Sequence, residues 1–225
     1  LNLENVVPWG RNLNEYKKMF LLSEADLKLK ILGCADGPSS FNYEASRCGI
    51  DVTSIDPVYK FTKEQIRQRI VETSNIVRKQ LELNHKDFIW NEFKNVDTLV
   101  ELRLDAMSKF LDDYEVGQSE GRYKHALLPN LPYKKESFDL VLSSHFLFLY
   151  SENFDFEFHL ESILKMCEVA KKEVRIFPIV DLNNKKSKHL SSILEELRLR
   201  DYECKVIKTK YEFQKEGDEM LQITI

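Results

Sequence analysis

Apolar and polar residues alternate along Leu27-Lys28-Leu29-Lys30-Ile31, then Leu32 follows and the chain turns at Gly33-Cys34-Ala35-Asp36-Gly37-Pro38. The run predicts a strand that ends in a glycine turn. Phe41, Ala45 and Cys48 continue at helical spacing, with Pro38 near the helix start and Gly49 suited to a left-handed cap at its end. Asp51 to Ile55 then reads as a second strand running straight into Asp56-Pro57. The whole is one β-α-β unit of about 30 residues with an acid at the tip of its second strand. A strand–turn–helix of this kind aims unpaired N–H groups and the positive end of a helix dipole at one point, which suits an anionic ligand group.

The other elements are placed in the same way. Leu13, Tyr16, Met19 and Phe20 mark a helix over Asn12 to Leu22, and Ser23-Glu24-Ala25-Asp26 is a capping box. Thr62-Lys63-Glu64-Gln65 is a second box. It opens a long helix marked by Ile66, Ile70, Val77 and Leu81, and Val96, Val100, Met107, Phe110 and Tyr114 mark another. A β-α-β crossover needs one helix, so residues 58–120 read as a helical insertion or cap, and residues 1–26 as a lid segment. Further strands are expected at Tyr123 to Leu128, Phe138 to Ser143 and Glu173 to Pro178, and further helices around Phe158 to Val169 and His189 to Arg198. Cys204 to Tyr211 and Met220 to Ile225, with no helix between them, predict a terminal antiparallel hairpin.

Composition narrows the function classes. The 225 residues are 43% hydrophobic and 31% charged, with a net charge of −4, which describes a globular domain whose basic residues are interleaved with acids. Nucleic acid is therefore not an expected partner. No apolar run approaches the roughly 18–20 residues that span a bilayer, so no membrane partner is expected. No leader pattern is legible at Leu1 to Asn5, and Cys34, Cys48, Cys167 and Cys204 form no C-x-x-C pair, so a cytoplasmic location with reduced thiols is expected.

The dinucleotide fingerprint G-x-G-x-x-G is not met, because Ala35 and Pro38 stand where its second and third glycines fall. Gly33-x-Ala35-x-Gly37 fits the looser G-x-G-x-G turn that admits a methionine and an adenosine. Leu131-Pro132-Tyr133-Lys134-Lys135-Glu136-Ser137-Phe138-Asp139-Leu140-Val141-Leu142-Ser143-Ser144-His145 resembles the L-P-F-x-x-x-S-F-D-L-V-x-S segment of class I S-adenosylmethionine-dependent methyltransferases, the small-molecule and quinone-biosynthesis group in particular. The resemblance covers roughly residues 28–225 outside the insertion. It implies an α/β, Rossmann-like, mostly parallel sheet with a C-terminal antiparallel hairpin, in strand order 3-2-1-4-5-7-6, and S-adenosyl-L-methionine as cofactor. By the same resemblance Gly33, Cys34, Ala35, Asp36 and Gly37 form the cofactor turn, and Asp56 holds the ribose. Leu127 and Leu128 sit against the adenine, and Ser143 and Ser144 line the cleft below the methyl donor. The chain departs from the family pattern at Ile31, Ala35 and Leu127, where an acid, a glycine and an acid are usual. Asp36 is a candidate to compensate, by capping the helix or reaching the ligand's ammonium.

For chemistry, His145 at the end of the fourth strand is the candidate general base, against a plain packing role. Arg11 is a candidate clamp for the carboxylate of cofactor or substrate, against a surface salt bridge. Tyr16, Tyr133 and Tyr150 are candidate acceptor-site residues or half-buried core aromatics. His125, His159 and His189 lack metal-ligand spacing and the fourth strand carries no carboxylate cluster for Mg²⁺, so no metal is expected. It also lacks the Asn/Asp-Pro-Pro-Tyr/Phe tetrad that grips a planar amine. The sequence therefore predicts methyl transfer to a small-molecule acceptor. A non-catalytic S-adenosylmethionine-binding module and an NAD(P)-dependent oxidoreductase are the alternatives.

Overall fold

The computed structural model describes residues 7–225. Seven strands, β1 (Ile31–Cys34), β2 (Val52–Ile55), β3 (Tyr123–Lys124), β4 (Phe138–Ser144), β5 (Ala170–Phe177), β6 (Glu203–Lys208) and β7 (Glu219–Thr224), join in one sheet. Its order is β3-β2-β1-β4-β5-β7-β6. β1 pairs in parallel with β2 and β4, β4 with β5, and β2 with β3, whereas β7 runs antiparallel to both β5 and β6. This is the Rossmann-like sheet with a terminal hairpin, and the chain reverses its winding between β1 and β4. Ligands of open α/β sheets bind at such a point, outside the carboxyl ends of the strands.

The period of two along each strand builds a core on both faces. Ile31, Val52, Leu140 and Leu142 join one apolar cluster, with α1 (Leu13–Met19) and α2 (Phe41–Arg47) supplying Tyr16, Met19, Phe41 and Ala45. Leu32, Cys34, Ile55 and Val141 join the other, under α5 (Phe156–Val169) and α6 (Leu190–Arg198). Gly49 ends the α2 segment at φ +73, as its place in the sequence predicts. α2 itself begins at Phe41, so Pro38 lies before the helix rather than in its first turn.

Two helices fill the β2–β3 crossover, α3 (Lys63–Leu83), opened by the Thr62/Gln65 capping box, and α4 (Val96–Ser119). α4 packs on α2 and β3, as a crossover helix must, and α3 is the added one, packed on α4. Tyr59, Phe110, Tyr114 and Tyr123 form an aromatic cluster that fastens this region to the sheet edge, with Tyr114 Oη donating to the Tyr59 carbonyl at 2.9 Å.

A buried ion pair ties the insertion to both ends of the chain. Arg103 of α4 donates to Glu15 Oε2 at 2.6 Å and to Tyr211 Oη at 3.1 Å, and Tyr211 in turn donates to Glu15 Oε1 at 3.0 Å. Glu15 is also the N3 residue of a capping box with Asn12 at the start of α1. Burial raises the Glu15 pKa, and Arg103, Arg11 and Asn12 more than reverse that, leaving it below the usual carboxylate range. Its stabilising contribution is complete above the unfolded value and is lost as pH falls through the folded one. Glu15→Ala leaves Arg103 buried without its anion and is expected to cost about 3–5 kcal/mol in urea unfolding at pH 7. A loss under about 1 kcal/mol would show that the pair does not anchor these segments.

Candidate functional site

A cavity of about 490 Å³ opens at the carboxyl ends of β1, β2 and β4. Its floor is Ala35, Asp36, Gly37, Asp56, Ser144 and His145, and its cover comes from the N-terminal segment, α3, α4 and the β6–β7 loop. That volume lies in the range of small-molecule and cofactor sites.

The turn after β1 is shaped by one side chain. The Asp36 carboxylate folds back over Gly33, where a Cβ would lie 1.9 Å from Oδ2, so only glycine fits there. Asp36 Oδ1 accepts from Tyr16 Oη at 2.8 Å and Oδ2 from Ser54 Oγ at 2.5 Å. It does not cap α2, which corrects that part of the role expected for it, and it lines the cavity with each oxygen held by one of these hydroxyls. Ala35 adopts φ +59, a left-handed conformation that costs an L residue about 1–2 kcal/mol. Gly37 has φ +56 and donates its N–H to Asp56 Oδ2 at 2.9 Å.

Asp56, at the tip of β2, also accepts the Val58 N–H on Oδ1 at 2.8 Å, which caps the short 3₁₀ turn Pro57–Lys60. Each carboxylate oxygen thus spends one lone pair on backbone and keeps capacity for a ligand. Burial pushes this carboxyl up to about 6, against the two N–H donors.

The N-terminal segment lies directly on the turn. A Cβ on Gly10 would sit 2.1 Å from the Pro38 carbonyl oxygen, and the Arg11 N–H donates to Ser39 Oγ at 3.1 Å. The Arg11 guanidinium lines the cavity, its Nη1 donating to the Trp9 carbonyl at 3.2 Å and its Nε buried without a partner. Among the described residues no carboxylate pairs with it, so the surface salt bridge does not form there. Burial and the nearby Arg103 lower its pKa, with Tyr211, Glu15 and Tyr16 opposing.

His145 follows β4 at φ +52 and shares a hydrogen bond between its Nδ1 and Ser144 Oγ at 2.9 Å. Burial, then Arg11 and Arg103, push its pKa well below the usual imidazole value, so the ring is neutral. Of the three tyrosines, Tyr16 stacks on Phe41 and binds Asp36, Tyr150 lines the cavity and accepts the Val7 N–H at 3.2 Å, and Tyr133 packs edge-on against Phe138.

Of the sequence-predicted residues, Arg11, Ala35, Asp36, Gly37, Asp56, Leu127, Leu128, Ser144 and His145 meet at this cavity. Gly33, Cys34 and Ser143 do not line it. Cys34 points into the cluster under α5, because alternation along β1 turns it to that face, and Ser143 is likewise buried within β4. Leu127 and Leu128 are not the end of a strand, since β3 stops at Lys124, but belong to the turn that follows it. Glu15, Arg103 and Tyr211 were not legible as a site. Arg103 alone gave a signal, a charge on the apolar stripe of α4 between Val100 and Met107. Among the described residues no group of three His, Cys, Asp or Glu is arranged to hold a metal ion, and no helix is long and apolar enough to cross a membrane. Leu1 to Val6, the start of the expected lid, lie outside the described residues.

No protein-family model matches the chain. An uncharacterized protein of Methanocaldococcus jannaschii, MJ0045, is 38% identical over 224 residues, 99% of this chain and 98% of that one. Among solved structures, magnesium protoporphyrin IX methyltransferase of Synechocystis PCC 6803 with bound SAM aligns at a TM-score of 0.47. It shares 12% identity over 91% of this chain and 74% of its own. A possible histamine N-methyltransferase of Thermotoga maritima aligns at 0.42, with 12% identity over 94% of this chain and 86% of its own.

The Asp36 carboxyl carries a pH dependence. Burial pushes it up to about 7, with Ser54 and Tyr16 opposing and Asp56 adding to the rise. An unfolded aspartate ionises near ~3.9, so between ~4 and ~7 the folded chain holds a proton that the unfolded chain has released. Stability therefore falls as pH rises through that window and levels off above it. Unfolding free energies measured from pH ~4 to ~8 are expected to decline less in Asp36→Asn than in the parent protein. Equal slopes would show that Asp36 is ionised throughout.

Proposed function

The chain belongs to one family with protein MJ0045 of Methanocaldococcus jannaschii, and we propose that it is an S-adenosylmethionine-dependent methyltransferase acting on a small-molecule acceptor. The observation that carries this reading is the Gly33–Gly37 turn held against Asp56 in the floor of the cavity, at the winding reversal of the sheet. The residues fit the cofactor. The remaining lone pairs of Asp56 suit the two ribose hydroxyls. Val58, Leu127 and Leu128 would offer apolar surface to the adenine, and the Ala35–Gly37 backbone, which lines the same cavity, would hold the aminoacyl group. Without an acid at Leu127, adenine recognition rests on backbone groups and shape.

The cofactor supplies a methyl group on a sulfonium, already a good leaving group, so the protein's part is alignment, exclusion of water and, where the acceptor carries a proton, a base. His145 is placed for that last role. In the tautomer whose Nδ1–H donates to Ser144 Oγ, the neutral ring leaves Nε2 to accept a proton from the acceptor. The same burial that keeps the ring neutral weakens it as a base. This favours a second reading, a binding module that holds the cofactor without transferring the methyl group. Turnover across an acceptor screen separates the two.

Calorimetric titration with S-adenosylmethionine is expected to show one site per chain. Asp56→Asn is nearly isosteric, keeps one of the two backbone hydrogen bonds to Gly37 and Val58, and removes the anionic acceptor of the ribose. It is expected to weaken binding by about 1–3 kcal/mol. Unchanged affinity would remove Asp56 from the ribose, and no binding by the parent protein would remove the proposal.

A further inference from the structure

The cavity has a second pole, chemically distinct from the turn. Arg11 and Arg103 both line it, and among the described residues both carry an Nε that is buried and without a partner. Arg103 is fully buried, and its carboxylate partner among those residues, Glu15, also accepts from Tyr211 and from the Asn12 N–H. Two guanidiniums therefore share one anion. The carboxylates on the floor do not balance the excess, because Asp36 faces Tyr16 and Ser54, and Asp56 faces the N–H groups of Gly37 and Val58. A buried cation without an anion is costly, and a wall that keeps one is suited to a ligand that brings the anion.

The surroundings describe the rest of that ligand. Leu81, Phe88 and Phe213 line the cavity on the side of the insertion and the β6–β7 loop, and Leu149, Phe154 and Phe158 line it from the segment after β4. These walls suit an apolar, aromatic body. We infer that the acceptor is an aromatic or otherwise apolar small molecule bearing a carboxylate, which Arg11 and Arg103 anchor beside His145. The inference rests on the methyltransferase reading.

The carboxylate is an anchor and not the methylated atom. Methyl transfer from a sulfonium to an anionic oxygen consumes the negative charge. Guanidiniums on that oxygen would stabilise the ground state more than the transition state and slow the reaction. The same groups on a carboxylate remote from the nucleophile bind ground and transition states alike and fix the acceptor's orientation.

The test is calorimetry on the full chain, with and without saturating S-adenosylhomocysteine, using the pairs indole-3-propionate and indole-3-propionamide, and 4-phenylbutyrate and 4-phenylbutyramide. At least one acid is expected to bind about tenfold more tightly than its amide, and Arg11→Gln to reduce that ratio to about twofold or less. Arg11→Gln is also expected to leave the affinity for S-adenosylhomocysteine unaltered and not to lower the unfolding midpoint. Amides that bind as well as the acids, or no binding of either, would overturn the inference. So would an Arg11→Gln protein that loses affinity for S-adenosylhomocysteine but not for its decarboxylated analogue, since Arg11 would then belong to the cofactor's tail. A preference for the acids that persists while S-adenosylhomocysteine fails to bind would uphold the anion site and remove the methyltransferase reading.

Discussion

Glu15 is a carboxylate in the interior that accepts hydrogen bonds from three parts of the chain far apart in sequence. Asn12 holds it at the start of α1, Arg103 reaches it from the middle of α4, and Tyr211 reaches it from the loop between β6 and β7. Three of the segments that roof the cavity are thus joined through one anion. Because Arg103 is fully buried, none of them can leave without exposing or orphaning a charge. The close contact of Gly10 with Pro38 then presses the N-terminal segment onto the glycine turn. The cover of the site is in this way part of the folded core.

The turn beneath that cover is built differently from the pattern its sequence resembles. Its central position is Ala35 in a left-handed conformation, and the acid inside the turn, Asp36, faces inward and locks Tyr16 and Ser54. Gly33 serves to let that carboxylate pass. Asp56 keeps acceptor capacity on both oxygens at the cavity, while the charges of Arg11 and Arg103 act on His145. A cationic cofactor at one pole and an anionic group at the other would keep like charges apart.

Elements with a strong period were legible from the residues alone. The alternation through β1 and the apolar run of β4 placed the strands, and the Thr62/Gln65 box marked the start of α3. The strand order came from the resemblance of the segment ending at His145, since periodicity says nothing about which strands pair. β3 is shorter than its apolar run, because Ala126, Leu127 and Leu128 belong to a turn outside the sheet, in which Leu127 bridges to Asn130. For the site, Gly37 and Asp56 were legible because backbone geometry confines such a turn to few residue types. The Glu15–Arg103–Tyr211 network was not, because it joins three segments by charge and burial, which no local pattern records. The side chains of Cys34 and Ser143 do not line the cavity, because successive side chains along a strand face opposite sides of the sheet.

The central claim is that the Gly33–Gly37 turn and Asp56 form a nucleoside-cofactor site. A crystal structure with S-adenosylhomocysteine tests it most directly. The ribose hydroxyls are expected on the Asp56 carboxylate, the adenine against Val58, Leu127 and Leu128, and the sulfur directed toward His145. A nucleoside bound elsewhere, or an Asp56 carboxylate that touches only Gly37 and Val58 in the complex, would contradict it.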